Sequence, residues 1–432
     1  MTAMPRDCID TFPSLWQQSA KEPDVSVPLA GDLRADVVIV GAGYTGLSAA
    51  LALAEAGRDV IVLDRGGPGW GGSGRNSGAV IRGFKPGLPE LTERFGQDGA
   101  EIARIGATNA QRVYNLVDRF GIDCDLRRNG WILPAHNAAG MRQTEARHRN
   151  WTRDGVTGIE MLDRAQVARM LGSQAYEGGL IDHACGSLQP LSYARGLARA
   201  ARAAGARIFR DAFVTGYRRQ GDGWQVTTGA GTVQAGQLVL ATNAYSGRLD
   251  PGIAGSMLTT HTQIIATAPL PAATAATILP DGAAASDSRR ILFYWNMTPD
   301  NRLVFGTRGR VHGPRKIEDF SMVRRALETV YPQLSGTAIA HRWAGKVAVT
   351  RDFLPRIASP EAGLWTVHGF CGRGVAMATT YGLLLGETLA AQGRLGDLKV
   401  PHGAAPKAPP AGLRSLGIVT MTQWYRLLDR WM

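Results

Sequence analysis

Val37-Val38-Ile39-Val40 leads directly into Gly41-Ala42-Gly43-Tyr44-Thr45-Gly46, an Ala/Leu-rich segment runs on to Gly57, and Val60-Ile61-Val62-Leu63 then ends on Asp64. The order is strand, glycine turn, helix, strand, acid, the opening unit of a dinucleotide-binding sheet. Gly41 permits the tight turn, Gly43 brings bare backbone to a pyrophosphate, and Gly46 lets the helix pack closely on its strand. Tyr44 and Thr45 open the helix, whose first N–H groups lack intrahelical partners and face the phosphates. Asp64, about 20 residues past the glycines, is placed to accept hydrogen bonds from an adenosine ribose.

NAD and FAD share this fingerprint, and the residues after the acid separate them. A nicotinamide dehydrogenase proceeds to another helix and strand. Here Gly66-Gly67-Pro68-Gly69-Trp70-Gly71-Gly72-Ser73-Gly74-Arg75-Asn76-Ser77-Gly78 intervenes. A long glycine loop wraps a larger cofactor with backbone amides, which favours FAD. The interleaved Trp, Arg and Asn argue against a merely flexible linker.

Further along, 90–120 reads as helix, 121–134 as two short strands and 138–171 as more helix. A helix from Pro190 to Gly205 precedes strands near 206–209, 212–217, 224–228 and 237–241, where the sheet resumes. Strand candidates at 261–268, 291–297 and 302–306, with a helix near 319–331, form a middle layer rich in Tyr, Trp and His. Leu364-Trp365-Thr366-Val367 then runs into His368-Gly369-Phe370-Cys371-Gly372-Arg373-Gly374 and a helix to about Ala391, a second glycine turn opening a helix. The Pro/Ala/Gly-rich stretch 401–412 reads as linker.

Length and composition agree with a folded chain of two or three domains. The 432 residues include 54 glycines, one in eight against roughly 7% usually, with no collagen period. The net charge of +12 permits anionic partners, but the 48 Lys and Arg are scattered and no nucleic-acid-binding motif occurs, so no nucleic acid is expected. Cys8, Cys124, Cys185 and Cys371 are far apart, without metal-ligand spacing, so no metal is expected and reduced thiols in a cytoplasmic protein are the plain reading. The N-terminus lacks a secretory signal pattern, and no run of about 18 apolar residues would span a bilayer.

Several unlinked motifs together resemble the FAD-dependent oxidoreductases of the D-amino-acid-oxidase-like (DAO) family, in particular its gamma-glutamylputrescine oxidase branch. They are Ser14-Leu15-Trp16, the block from Ala35, the Gly72–Gly78 loop, Leu238–Ser246, Thr298–Gly306 and Gly369–Gly382. The resemblance implies an α/β (α+β) fold. A discontinuous Rossmann-like FAD-binding domain (30–85, 186–250, 345–395) would be joined to a β-rich substrate domain (86–185, 251–344), followed by a linker (396–412) and a C-terminal amphipathic helix (413–432). It places Arg65 near the adenosine, Gly72, Ser73, Gly74, Arg75 and Asn76 along the ribityl–pyrophosphate, and Val214 near the adenine. Thr242 and Asn243 would lie beside the dinucleotide. Phe370, Gly372, Arg373, Gly374 and Val375 would approach the flavin's pyrimidine end.

By the same resemblance the chain would oxidise the C–N bond of a small amine or amino or imino acid by hydride transfer to flavin N5. The expected pocket candidates are His261, Tyr294, Trp295, Trp343 and Phe370 as aromatic walls, with Arg82 and Arg308 as carboxylate anchors. Each of these also fits an ordinary core, interface or surface position. Sarcosine-oxidase relatives attach flavin through a cysteine, and the matching stretch Trp343–Ala348 has none, so noncovalent FAD is expected. Where those relatives place a lysine that promotes reaction with oxygen, this chain has Val304. That leaves O2 or a quinone as acceptor, with Lys346 as another source of charge. The segment 413–432, with Leu, Ile, Trp and Met beside Arg414, Arg426 and Arg430, suits either a docked terminal helix or a peripheral membrane contact. A non-catalytic flavin-binding protein is the alternative of another class.

Overall fold

The computed structural model describes residues 11–309 and 312–409 together with Thr420 and Trp424. Two large sheets carry the molecule. The first is assembled around Leu33–Val40, whose Val37 to Val40 are all buried, the pattern of a strand covered on both faces. Val60–Leu63 and Arg207–Arg210 lie parallel on one side of it, with Gly231–Leu240 parallel on the other. Leu364–His368 adds in parallel beside the end of Gly231–Leu240, and Val214–Gln220 and Gly223–Thr228 complete an antiparallel meander. Strands far apart in sequence thus interleave, and the C-terminal ends of the parallel strands converge on one edge, where α/β sheets bind ligands.

Four helices cover one face of this sheet: Tyr44–Glu55, Asp98–Phe120, Pro190–Ala203 and Gly374–Ala390. The first and last pack with almost no gap. A Cβ on Gly382 would stand 2.3 Å from the Thr45 carbonyl oxygen and 2.9 Å from the Ser48 Cβ, and one on Gly386 would stand 2.7 Å from the Ala49 carbonyl. Small residues set this spacing, and it brings the two glycine turns that open the helices side by side.

The second sheet has eight strands in the order Ile339–Thr350, Met257–Thr267, Leu303–Arg308, Phe293–Met297, Ala284–Ser286, Trp131–Ala135, Gly178–Asp182 and Ile159–Leu162. Its own core holds Trp295, Phe305 and Tyr331 under the helix Ser321–Val330. A short pair, Ala79–Val80 with Gly186–Ser187, forms a two-stranded sheet of its own.

Several boundaries depart from the sequence reading. The helical stretch expected at 138–171 is two helices, Ala138–Arg153 and Arg164–Leu171, parted by glycines at positive φ and the strand Ile159–Leu162. Only one strand, Trp131–Ala135, forms within 121–135. The strand Ile339–Thr350 had no strand expectation. It crosses position 345, and all of it pairs with the second sheet. Helix Asp98–Phe120, placed in the substrate segment by sequence, belongs to the first core. The linker reading of 396–412 fails at its start, because Leu398 and Val400 are buried in that core and Gly403 donates to the Ile357 carbonyl. The expected helix 413–432 lies outside the described residues apart from Thr420 and Trp424. No helix among the described residues is long and apolar enough to cross a membrane.

The helix contact yields a stability test. Gly382→Ala is expected to cost about 1–3 kcal/mol in urea unfolding by overpacking. Gly396→Ala, where an added Cβ meets nothing within 4 Å, is expected to stay within about 0.5 kcal/mol.

Candidate active site

The glycine turn 41–46 and the glycine loop 66–78 meet over the end of the first sheet because Asp64 ties them together. Its Oδ2 accepts from the Ala42 N–H at 2.7 Å, and its Oδ1 accepts from Gly66 and Gly67 at 2.9 and 3.0 Å. Burial pushes this carboxyl up to about 6, the three amide donors opposing that shift.

The long second loop is rigid for equally specific reasons. Tyr44 donates from its hydroxyl to the Ser73 carbonyl at 2.5 Å, and Ser73 Oγ accepts from the Tyr44 N–H at 3.1 Å. Asn76 donates to the Gly72 and Ser73 carbonyls, while its Oδ1 accepts from Gly78. Arg75 reaches the carbonyls of Trp70, Phe12 and Ala344. From outside, the indole of Trp16 donates to the Asn76 carbonyl at 2.8 Å and that of Trp343 to the Arg75 carbonyl at 3.0 Å.

Below these loops runs a continuous cavity of about 1090 Å³. That exceeds the roughly 300–1,000 Å³ common for one small ligand and leaves room for a dinucleotide and a second molecule. Its walls pass from Gly41, Gly43, Tyr44, Thr45, Asp64 and Arg65, along Ser73, Arg75, Asn76, Val214, Thr242 and Asn243, to the loop Phe370–Val375 and the face of the second sheet. At one end the Arg65 guanidinium lies 4.7 Å from the Trp70 ring centroid and 5.6 Å from that of Phe213, making a flat cationic platform.

Two helices aim their N-termini into this space, neither capped by its own N-cap side chain: Tyr44–Glu55 and Gly374–Ala390. At Gly372, φ is +86° and nothing lies within 4 Å of an added Cβ, so bare backbone faces the cavity there. Asn243, at φ +43°, holds that loop by accepting the Gly369 N–H at 2.9 Å. A long anionic dinucleotide fits these donors and this open backbone.

The residues named from sequence separate into two groups. Every expected cofactor contact lines the cavity except Gly46 and Gly74, which are closed against the Gly41 and Gly69 carbonyls and keep the turns tight. Of the pocket candidates, Tyr294, Arg308 and Phe370 line it. Tyr294 lies across Gly306, where an added Cβ would stand 2.2 Å from the ring.

His261, Trp295, Trp343 and Arg82 do not line the cavity. Strand alternation explains the first two: Thr260 and Thr262 face the cavity, which turns His261 away, and Tyr294 faces it while Trp295 stacks on Phe305 in the second core. Trp343 is buried against Trp16, where the two indoles pin the glycine loop. Arg82 is buried in an ion pair with Asp182 at 2.8 Å and also donates to the Thr157 carbonyl.

Lys85, Arg147, Trp70, Phe213, Tyr245 and Phe353 line the cavity without having been singled out as site residues. Only Trp70 carried a sequence signal, its place among the glycines. Lys85 stands over the Phe353 ring, and crowding by protein and by Arg373, Arg308 and Arg147 pushes its ammonium down to about 8. Burial pushes Arg373 down to about 10, with Arg147 adding to the shift. Arg373 is held by the carbonyls of Arg82, Gly83 and Phe84. Among the described residues no group of three or more side chains is arranged to hold a metal.

A cavity that joins a dinucleotide cradle to a β-sheet wall is shaped for a nucleotide cofactor beside a second ligand. The family model for FAD-dependent oxidoreductases (DAO) matches residues 36–388, and the chain belongs to that family. It is 33% identical to gamma-glutamylputrescine oxidoreductase of Escherichia coli K12, covering 86% of this chain and 88% of that one. It is 31% identical to a probable oxidoreductase, OrdL, of Haemophilus influenzae, covering 94% of each. The fold is also that of a glycine oxidase from Geobacillus kaustophilus (TM-score 0.68, 22% identity, 84% of this chain and 96% of that one). An L-proline dehydrogenase from P. horikoshii superposes similarly (TM-score 0.69, 19% identity, 85% and 95%).

The ion pair at Arg82 and the buried acid each give a measurement. Arg82→Met should leave Asp182 buried without its partner and cost about 3–5 kcal/mol in urea unfolding, with Asp182→Leu added in a double variant restoring most of the loss. For Asp64, a folded-state value above the unfolded one means stability is greatest at low pH and is lost as pH rises through about 6. The stability of the parent relative to Asp64→Asn should therefore fall between pH 4 and 6 and be flat above, in paired unfolding titrations.

Proposed function

We propose that this FAD-dependent oxidoreductase oxidises the C–N bond of a small amine or an amino or imino acid. The observation that carries the reading is the single cavity shared by the dinucleotide cradle and the wall bearing Tyr294, Arg308 and Arg373. Relatives named as gamma-glutamylputrescine oxidoreductase and glycine oxidase agree with it.

Bound FAD supplies an acceptor for the hydride and electron pair that leave the carbon next to nitrogen. The chain's own residues bind, orient and dry the donor. Trp131, Leu133 and Leu292 form an apolar part of the lining, and Tyr294 is fixed in place by Gly306. The cations at this end of the cavity disfavour a bound ammonium, which lowers its pKa and leaves the nitrogen lone pair free. Loss of the hydride gives an iminium ion, which releases a proton as the imine and is hydrolysed to a carbonyl compound or cyclises.

We take the cofactor to be held noncovalently. Cys371 is the only one of the three described cysteines on the cavity wall. Its thiol donates to the Gly369 carbonyl at 3.1 Å and lies 3.3 Å from Thr350 Oγ1, and burial keeps it protonated. Val304 is buried in the second sheet away from the cavity, whereas Lys346 lines it.

The test is anaerobic titration of the FAD-loaded protein with a panel of amines and amino acids, followed by air or a quinone. Bleaching of the flavin bands by one donor class is the expected result, and denaturation should release the flavin into the supernatant. Reduction by dithionite but by no amine would contradict the reading and favour a flavin-binding protein without turnover. Recovery in air marks an oxidase, and recovery only with quinone marks a dehydrogenase.

A further inference from the structure

The helix Ala138–Arg153 turns a polar face to the cavity. Gln143, Thr144 and Arg147 all line it, and their spacing of three and four residues puts them on one side of the helix. The helix is firmly seated. Asn137 caps it by accepting the Gly140 N–H at 2.7 Å, and it packs against the strands Trp131–Ala135, Gly178–Asp182 and Ile159–Leu162. Thr144 turns its hydroxyl back to the Gly140 carbonyl at 2.9 Å and so offers the cavity no donor. Gln143 and Arg147 differ from it: among the described residues neither side chain has a hydrogen-bond or ion-pair partner. The contact that fixes Arg147 is the ring of Trp151, whose centroid lies 5.7 Å from its guanidinium carbon.

Contacts through the second sheet connect this face to Tyr294. Trp151 packs on the cluster that holds Trp131 and Leu133. The Trp131 indole donates to Ser286 Oγ at 2.8 Å, and Ser286 is the cross-strand partner of Tyr294. Trp131, Ser286 and Tyr294 line the cavity from three neighbouring strands, a width of roughly 10 Å. Arg147 thus stands at the Trp131 edge of the wall that carries Tyr294. Other arginines expected or found nearby are engaged by the protein itself. Arg82 is paired with Asp182 and Arg289 with Asp287, while Arg75 and Arg373 point at main-chain carbonyls.

Burial acts against the Arg147 charge, which a guanidinium retains at any working pH. A cation steadied by an aromatic ring, with its N–H donors open and an amide one turn away, suits a planar anion. Resting on the amine-oxidation reading, we propose that Arg147 and Gln143 receive the carboxylate of the donor, so that the chain acts on amino or imino acids and not on simple amines. Arg147 takes the carboxylate bidentately, and the Gln143 amide donates to it from the preceding turn.

Both arms of the test use the FAD-loaded protein. In the binding arm, calorimetry compares unreactive straight-chain carboxylates from acetate to valerate with the primary amides of equal length. At least one carboxylate is expected to bind about tenfold or more tightly than its amide, the margin of a charge-assisted pair. Arg147→Met should abolish that margin and Arg147→Lys should keep part of it, with FAD content at the parent level in both. Gln143→Glu leaves Arg147 in place but sets a carboxylate one turn from it, and it should abolish the margin as well. Equal affinity for carboxylates and amides in the parent would overturn the proposal. So would a margin that survives Arg147→Met and disappears in Arg308→Met, which would put the carboxylate on the other arginine.

In the turnover arm, the amino acid that bleaches the flavin best is compared with the amine left when hydrogen replaces its carboxylate. The amino acid is expected to have a KM about tenfold or more below that of the amine, and Arg147→Met should remove the difference by raising the KM of the amino acid alone. An amine that reduces the parent's flavin as readily as its amino acid would overturn the proposal while upholding amine oxidation. Carboxylate binding that depends on Arg147, without bleaching by any amine or amino acid, would overturn the donor assignment together with the amine-oxidation reading and leave only an anion site.

Discussion

The structure depends on one buried carboxylate. Asp64 closes the second parallel strand and takes amide hydrogens from the 41–46 turn and from the 66–78 loop, so the turn cannot form its cradle without fixing the start of the loop. From there the order propagates through Ser73, Tyr44 and Asn76 to Trp16 and Trp343, and hence to the second sheet. A loop with so many glycines would otherwise pay a large conformational entropy to stay ordered. Side-chain hydrogen bonds to its own backbone hold it instead, which leaves the cavity wall preorganised.

The second constraint is steric. Glycines at 382 and 386 let the helices behind the two turns lie almost in contact, and that sets the turns side by side. A dinucleotide cradle and a substrate wall then become the two ends of one space, with charged side chains on its walls drawn from many separate elements, among them Arg65, Arg147, Arg308 and Arg373. Chemistry at such a site is decided by position and field rather than by a dedicated acid and base.

Much of the cradle was legible in the sequence because its requirements are local. The turn glycines, the acid after the second strand and the final GFCGRG loop sit at fixed offsets from strands that read as continuous apolar runs. The substrate wall was less legible. Whether Tyr294 or its neighbour Trp295 faces the cavity depends on strand register, and the same alternation removed His261. Trp343 carried a real signal with a different meaning, since a buried indole holding a loop carbonyl looks the same in sequence as one facing a substrate. Arg147 gave no signal at all, lying in a polar helix with several other arginines. Strand Ile339–Thr350 was missed because its residues show no sustained alternation.

The most direct measurement is a crystal structure of the protein grown with FAD and an unreactive carboxylate analogue of an amino-acid substrate. The dinucleotide is expected to run from Asp64 and Arg65 past Ser73 to the loop at Gly372, with the second ligand against Tyr294, Arg147 and Arg308 in the same cavity. A flavin lying elsewhere, or a second ligand bound outside that cavity, would contradict this arrangement.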